Sequence, residues 1–112
     1  MILNANQYVQ LDSLFTALAH PKRRGIVYDL ALNPATISQL AKSHNLSLPA
    51  IHKHLKVLES ADLIVRRKSG RTHFLTLKTD SLVLAKGWLG QFRTEWGSES
   101  ATLDNYIARM KE

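Results

Sequence analysis

Leu11, Leu14, Phe15 and Leu18 recur at i, i+3, i+4 and i+7, which predicts an α-helix over residues 11–20. The stretch HPKRRGIVYDLAL, residues 20–32, predicts a second helix with Ile26, Val27 and Leu30 turned inward. Pro21 sits near its first position, where a missing N–H does no harm. Asn33-Pro34 breaks the pattern, and TISQLAKSH, residues 36–44, starts a third helix. Thr36 and Gln39 have the spacing of a capping box, and Ile37, Leu40 and Ala41 form the apolar side. Asn45 tolerates the left-handed conformation that ends many helices. Ser47 is a good N-cap for a fourth helix. Stepping along that helix at about 100° per residue puts Leu48, Ile51, Leu55 and Leu58 in one apolar sector. Pro49, His52, Lys53, Lys56 and Ser60 fall on the other side.

The period then changes. Ile64, Val65, Phe74, Leu75, Thr76 and Leu77 favour strands, and Ser69-Gly70 predicts a hairpin tip between them. Beyond Asp80, Ala85, Trp88, Leu89, Phe92, Trp96, Leu103, Tyr106, Ile107 and Met110 return to three- and four-residue steps. A continuous helix there would be ~45 Å long, more than a small core can cover. Gly87, Gly90 and Gly97 weaken it, at roughly 1 kcal/mol each relative to alanine. An apolar stripe outrunning the core predicts a partner helix, hence a homodimer through the first and last helices. The interface expected is Leu11, Leu14 and Phe15 from the first helix, and Trp88, Leu89, Phe92, Trp96, Leu103, Tyr106 and Ile107 from the last.

Length, 112 residues, fits a single domain. The net charge of +6 matters mainly for its location. Residues 42–78 hold eight Lys and Arg against Glu59 and Asp62, so the whole excess lies in the middle third. Such asymmetry points to a polyanion partner, whereas charges spread evenly would mean only a solvated surface. A tight hairpin does not require the four cations Arg66, Arg67, Lys68 and Arg71. The absence of cysteine excludes disulfides, a thiolate metal site and a cysteine nucleophile. No apolar run is long enough to span a bilayer, and the N-terminus lacks the marks of a signal peptide. A cytoplasmic location is therefore expected. No nucleophile motif or phosphate-cradling glycine loop suggests an enzyme.

Five histidines raise the question of a metal, but no pair has the spacing of a convincing metal face, so neither metal nor cofactor is expected. His54 borders the apolar sector of the fourth helix and is expected to pack. His73 either meets a phosphate or pairs across the hairpin. His20 and His44 lie near helix ends, where they would serve backbone or dipole. Lys22, Arg23 and Arg24 stand at a helix start, an unfavourable place for cations. A bound phosphate would relieve them, and so would a carboxylate such as Asp12 or Asp29.

Helix, helix, turn, helix and hairpin, in that order, describe a winged helix-turn-helix: mainly α with a small β-hairpin. A B-form major groove accepts one helix, and a basic wing beside it reaches flanking phosphates. The stretches LDSLFTALAHPKRRGIVYDLA, SLPAIHKHLKVLESADLIVRRKSGR and LAKGWLGQFRTEW resemble the ArsR family of bacterial winged-helix repressors over roughly residues 8–108. The resemblance implies a homodimeric repressor on a palindromic operator, often its own. Many members sense metals, with a Cys-x-Cys type motif on the third helix or acid and histidine pairs on the last. This chain has neither, and is closer to cysteine-less members that look like simple autorepressors. His20 stands where relatives often have Asp, and His52 where many have Ser.

The resulting expectation is a repressor with dimerisation helices over residues 11–20 and 80–110, a helix-turn-helix over 36–60 and a wing over 63–77. Ser47, Pro49, Ala50, His52, Lys53 and Lys56 would face the major groove. Arg66, Arg67, Lys68, Arg71 and Thr72 would serve the wing, with Gln39 and Arg24 as further backbone contacts. The partners expected are double-stranded DNA and a second copy, with any inducer unknown. Two rivals are a metal- or small-molecule-responsive sensor of the same fold and a winged-helix module that binds protein instead of DNA.

Overall fold

A computed structural model describes residues 2–92 and 99–111. The elements run α1 (Ala5–Leu18), α2 (Pro21–Leu32), β1 (Ala35–Thr36), α3 (Ile37–Ser43), α4 (Leu48–Ser60), β2 (Ile64–Ser69), β3 (Thr72–Leu77), α5 (Asp80–Gly90) and α6 (Glu99–Met110). This is the winged helix-turn-helix arrangement expected from the sequence.

Local chemistry explains most boundaries. Thr36 and Gln39 form the capping box at the start of α3, and the Ser47 hydroxyl caps α4 by accepting from the Ala50 N–H. A second capping box, Asn4 with Gln7, starts α1 six residues earlier than the apolar spacing suggests. Each helix of the helix-turn-helix closes on a left-handed residue. Asn45 (φ 54°) ends α3 and Asp62 (φ 60°) ends α4. After each, the chain folds back to an earlier carbonyl: Leu46 N–H to Ala41 and Leu63 N–H to Leu58. This is the Schellman arrangement.

The core is one cluster. Leu14, Ile26, Leu40, Ile51, Leu55, Leu58, Leu63 and Leu75 are its largest fully buried side chains. They bring α1, α2, α3, α4 and the hairpin onto a shared centre. Ser81 is also fully buried, and its hydroxyl is satisfied. It donates to the Ala61 carbonyl at 3.2 Å and accepts from the Gln10 amide at 2.9 Å. That pins the start of α5 to α1 and to the end of α4.

Several expectations change. The three-stranded antiparallel sheet, in the order β1-β3-β2, includes a two-residue strand, β1, that has no sequence signal. Ser69 pairs with Thr72, so the hairpin tip is Gly70-Arg71 instead of Ser69-Gly70. Gly70 has φ 61° and Arg71 is not left-handed, the pattern of a II′ turn with glycine first. Leu48, placed in the apolar sector of α4, is 55% exposed because it stands at the first helical position, ahead of the turn that meets the core. Leu11 and Leu14, expected at an interface, are buried within the protomer's own core, since their face of α1 packs inward. The helical stretch over 80–110, whose continuity the sequence leaves open, contains two helices, α5 and α6. Here α5 stops at Gly90, where two glycines in its last turn make the helix weakest. Trp96 and Gly97 lie outside the described residues.

Candidate nucleic-acid interface

On α4, Ile51, Leu55 and Leu58 are buried, while Pro49, His52, Lys53, Lys56 and Ser60 are exposed. The helix therefore has a packed face and a face of free donors. Ala50 is half-buried, closer to the core than expected. The Ser47 hydroxyl oxygen is taken by its capping role, leaving the O–H to donate outward. Gln39 is similarly divided. Its carboxamide oxygen accepts from the Thr36 N–H at 2.9 Å, and its NH₂ has no partner among the described residues.

The wing follows from strand alternation. Ile64, Arg66 and Lys68 share one face of β2, opposite Leu77, Leu75 and His73 of β3. Val65, Arg67 and Ser69 share the other, opposite Thr76, Phe74 and Thr72. The first face begins in the core at Ile64 and Leu75 and emerges into solvent at Lys68 and His73. Arg66, Arg67, Lys68, Arg71 and Thr72 are all exposed. Arg66 is not free: Nη2 lies 2.8 Å and Nε 2.9 Å from Glu59 Oε1 in the last turn of α4. By contrast, Lys53, Lys56, Arg67, Lys68 and Arg71 have no acidic partner among the described residues.

The cations at the start of α2 behave differently, because backbone carbonyls of neighbouring helices accept from them. Lys22 Nζ donates to the His44 carbonyl at the end of α3, at 2.6 Å. Arg23 donates to the Ala17 carbonyl at 2.6 Å and the Thr16 carbonyl at 3.2 Å, and Arg24 to the Leu18 carbonyl at 2.8 Å. They donate to carbonyls at the C-terminal ends of two other helices, where cations are favoured. Arg24, expected on DNA backbone, is thus committed to α1.

Three histidines are structural. His20 is the N-cap of α2, its Nδ1 accepting from the Lys22 N–H at 3.1 Å. Its ring lies 4.6 Å from that of His54. Arg23 Nη1 is 3.3 Å from His54 Nδ1, and because guanidinium only donates, that nitrogen is the acceptor. Burial, then the charges of His20, Arg23 and Lys22, hold the His54 pKa below its ordinary value. His44 Nε2 meets Asp29 Oδ2 at 2.6 Å. Gly25 makes room for it, since a Cβ there would lie 2.9 Å from the imidazole. His52 and His73 are exposed. Among the described residues no group of three or more His, Cys, Asp or Glu is placed to hold a metal, and no helix is long and apolar enough to cross a membrane.

Sequence reasoning missed Glu59 as the partner of Arg66. The only hint was an acid in a helix's last turn, where the dipole disfavours it. It also missed Asp62, whose carboxylate accepts from Lys78 Nζ at 2.9 Å. That hydrogen bond raises the Lys78 pKa.

Comparison with known proteins agrees with this geometry. Residues 20–65 match the profile described as "Bacterial regulatory protein, arsR family". The chain is 36% identical over 87 residues to the HTH-type transcriptional regulator Rv2034 of Mycobacterium tuberculosis, covering 78% of this chain and 81% of that protein. It is 29% identical over 82 residues to the transcriptional repressor SdpR of Bacillus subtilis, covering 73% and 91%. The solved structure of an ArsR-like transcriptional regulator from Rhodococcus sp. superposes with a TM-score of 0.74 at 27% identity, covering 97% of this chain and 94% of that one. The profile match and the 36% identity to a transcriptional regulator show that this chain belongs to the ArsR family of bacterial DNA-binding transcription regulators.

Proposed function

We propose that the protein is a homodimeric repressor that binds a palindromic operator, its own promoter included, with the exposed face of α4 in the major groove and the wing on flanking phosphates. The observation carrying this reading is the free basic surface shared by two adjacent elements. Lys53 and Lys56 on α4 and Arg67, Lys68 and Arg71 on the wing carry charge with no partner among the described residues. Every cation of the α2 start is, by contrast, engaged. Folding leaves as donors the groups that phosphates and base edges would accept. In this reading Ser47, Pro49, His52, Lys53 and Lys56 face the bases, with Ala50 at the edge of the groove-facing surface. Gln39 and Thr72 add neutral donors to the backbone.

The homodimer rests on exposed apolar surface. Phe15 of α1 packs edge-on to Trp88 of α5 at 5.6 Å, and Trp88 to Phe92 at 4.8 Å. Phe15, Leu89 and Phe92 nevertheless remain exposed, as do Leu103, Tyr106 and Ile107 on α6. A second copy covering these residues would place two α4 helices on one duplex, one per half-site.

The test is fluorescence anisotropy with duplex DNA from upstream of the protein's own gene, against a scrambled duplex, across salt concentrations. Selective binding that weakens about 10³–10⁵-fold between 50 and 200 mM salt is expected for ~6–10 phosphate contacts. Equal weak binding to every duplex would overturn the operator assignment. In parallel, Leu89→Glu should convert a dimer into a monomer in sedimentation analysis, and a monomeric wild type would overturn the homodimer.

A further inference from the structure

Residues 42–78 contain two acids, Glu59 and Asp62. Asp62 is tied to Lys78. Glu59 stands in the last turn of α4, where it opposes the helix dipole and would also repel an approaching phosphate. Electrostatics alone offers no reason for an acid there. Its geometry supplies one: Oε1 accepts from Nε–H of Arg66 at 2.9 Å and lies 2.8 Å from its Nη2. Arg66 is the third residue of β2, opposite Leu75, on the face through which the wing enters the core. The pair therefore spans the corner between α4 and the wing, just outside the point where Asp62 reverses the chain with φ 60°. Beyond Ile64 no residue of β2 is buried, Val65 being half-buried and residues 66–69 exposed, so the core itself does not grip the outer part of this strand.

We infer that Glu59 is a positioning residue for operator recognition, resting on the DNA-binding reading above. By holding Arg66 against the end of α4, it sets the angle of the wing to that helix. Arg67, Lys68 and Arg71 then meet phosphates in register with the bases under α4. The Arg66 charge is spent on Glu59 and not on DNA, so Arg66 belongs to the scaffold of the wing. Specificity depends on this because base readout and phosphate contacts must be made together. A wing free to swing still finds phosphates on any duplex.

The experiment compares wild type, E59Q and the charge swap E59R/R66E. Anisotropy is measured on the duplex that the wild type enriches from a random-sequence pool, and on a scrambled duplex, over a range of salt. Hydrogen exchange of amides 64–77 is followed in the free protein. Loss of an acid acting only through long-range charge would strengthen binding to both duplexes alike, leave their ratio unchanged and leave wing exchange unaltered. Loss of the strut gives a different pattern. Scrambled DNA should bind as well or better, with a salt slope steeper by about one as Arg66 is released. The ratio of enriched to scrambled affinity should fall roughly three- to fivefold, the size of one partly exposed ion pair. Wing amides should exchange faster, and the swap should restore both ratio and protection. An unchanged ratio with unchanged exchange overturns the inference. A wild type that enriches no sequence would refute the operator reading instead, while the exchange of the free protein would still decide whether Glu59 holds the wing.

Discussion

Two basic tripeptides, Lys22-Arg23-Arg24 and Arg66-Arg67-Lys68, have the same composition and opposite fates. The first begins a helix packed against the ends of two others. Each of its side chains reaches a terminal carbonyl of α1 or α3, at 2.6–2.8 Å for the shortest bond of each. The second lies on a hairpin that leaves the core after Ile64. One of its members is paired with Glu59, and the other two find no acid among the described residues. The difference shows what a charge run means in a folded chain. Where helix ends leave carbonyls unsatisfied, cations become structural capping groups. Where the backbone is already paired, as in a strand ladder, they are left for a partner.

The comparison is most sharply broken by R67A/K68A/R71A. Affinity for any duplex should fall about a hundredfold or more near 0.1 M salt, with the slope of log K against log salt shallower by roughly 2–3. Thermal stability should hardly change, since these side chains have no hydrogen-bond or ion-pair partner among the described residues. An unaltered slope would mean that the wing does not touch DNA. Next comes R23A, with the reverse pattern. Loss of charged hydrogen bonds to two carbonyls should cost ~2–3 kcal/mol in urea unfolding, while the salt slope stays as in wild type. A lowered slope with unchanged stability would show that the two basic regions had been confused. Third, K56A should cost ~1–2 kcal/mol on an operator duplex and much less on scrambled DNA, as anisotropy would show. Equal losses would make Lys56 a phosphate contact.

The smallest effect concerns pH. His54 has a lowered folded-state pKa, chiefly through burial and then through His20, Arg23 and Lys22. The unfolded chain therefore takes up a proton more readily than the folded one below the ordinary value of 6.5. The His54 contribution to stability is full above pH 6.5 and shrinks as pH falls through the folded value. Urea midpoints at pH 7.5 and 5.5 should show a decline that His54→Gln reduces. A decline as steep in that variant would assign the effect to other groups.

Much of the molecule is legible in its residues because the signals are local. The Thr36–Gln39 capping box, Asn45 at the helix end, the Ser47 cap and the alternation of Ile51, Leu55 and Leu58 with His52, Lys53 and Lys56 each depend on neighbours within one or two turns. They suffice to write down a helix-turn-helix with a basic outer face. The two-residue β1 is invisible because its pairing with β3 is long-range. Leu11 and Leu14 were expected at an interface because periodicity shows that a face is apolar without showing what covers it.

The sequence by itself determined the order of elements, the location of the charge excess and the absence of cysteine chemistry, since each is carried by residue type and spacing. Only the tertiary structure decided which charges are free. That depends on which helix ends lie near α2, on Glu59 meeting Arg66 across a corner, and on the wing leaving the core after Ile64. Electrostatic pairing acts through space over a few ångströms, and those distances exist only once the chain is folded.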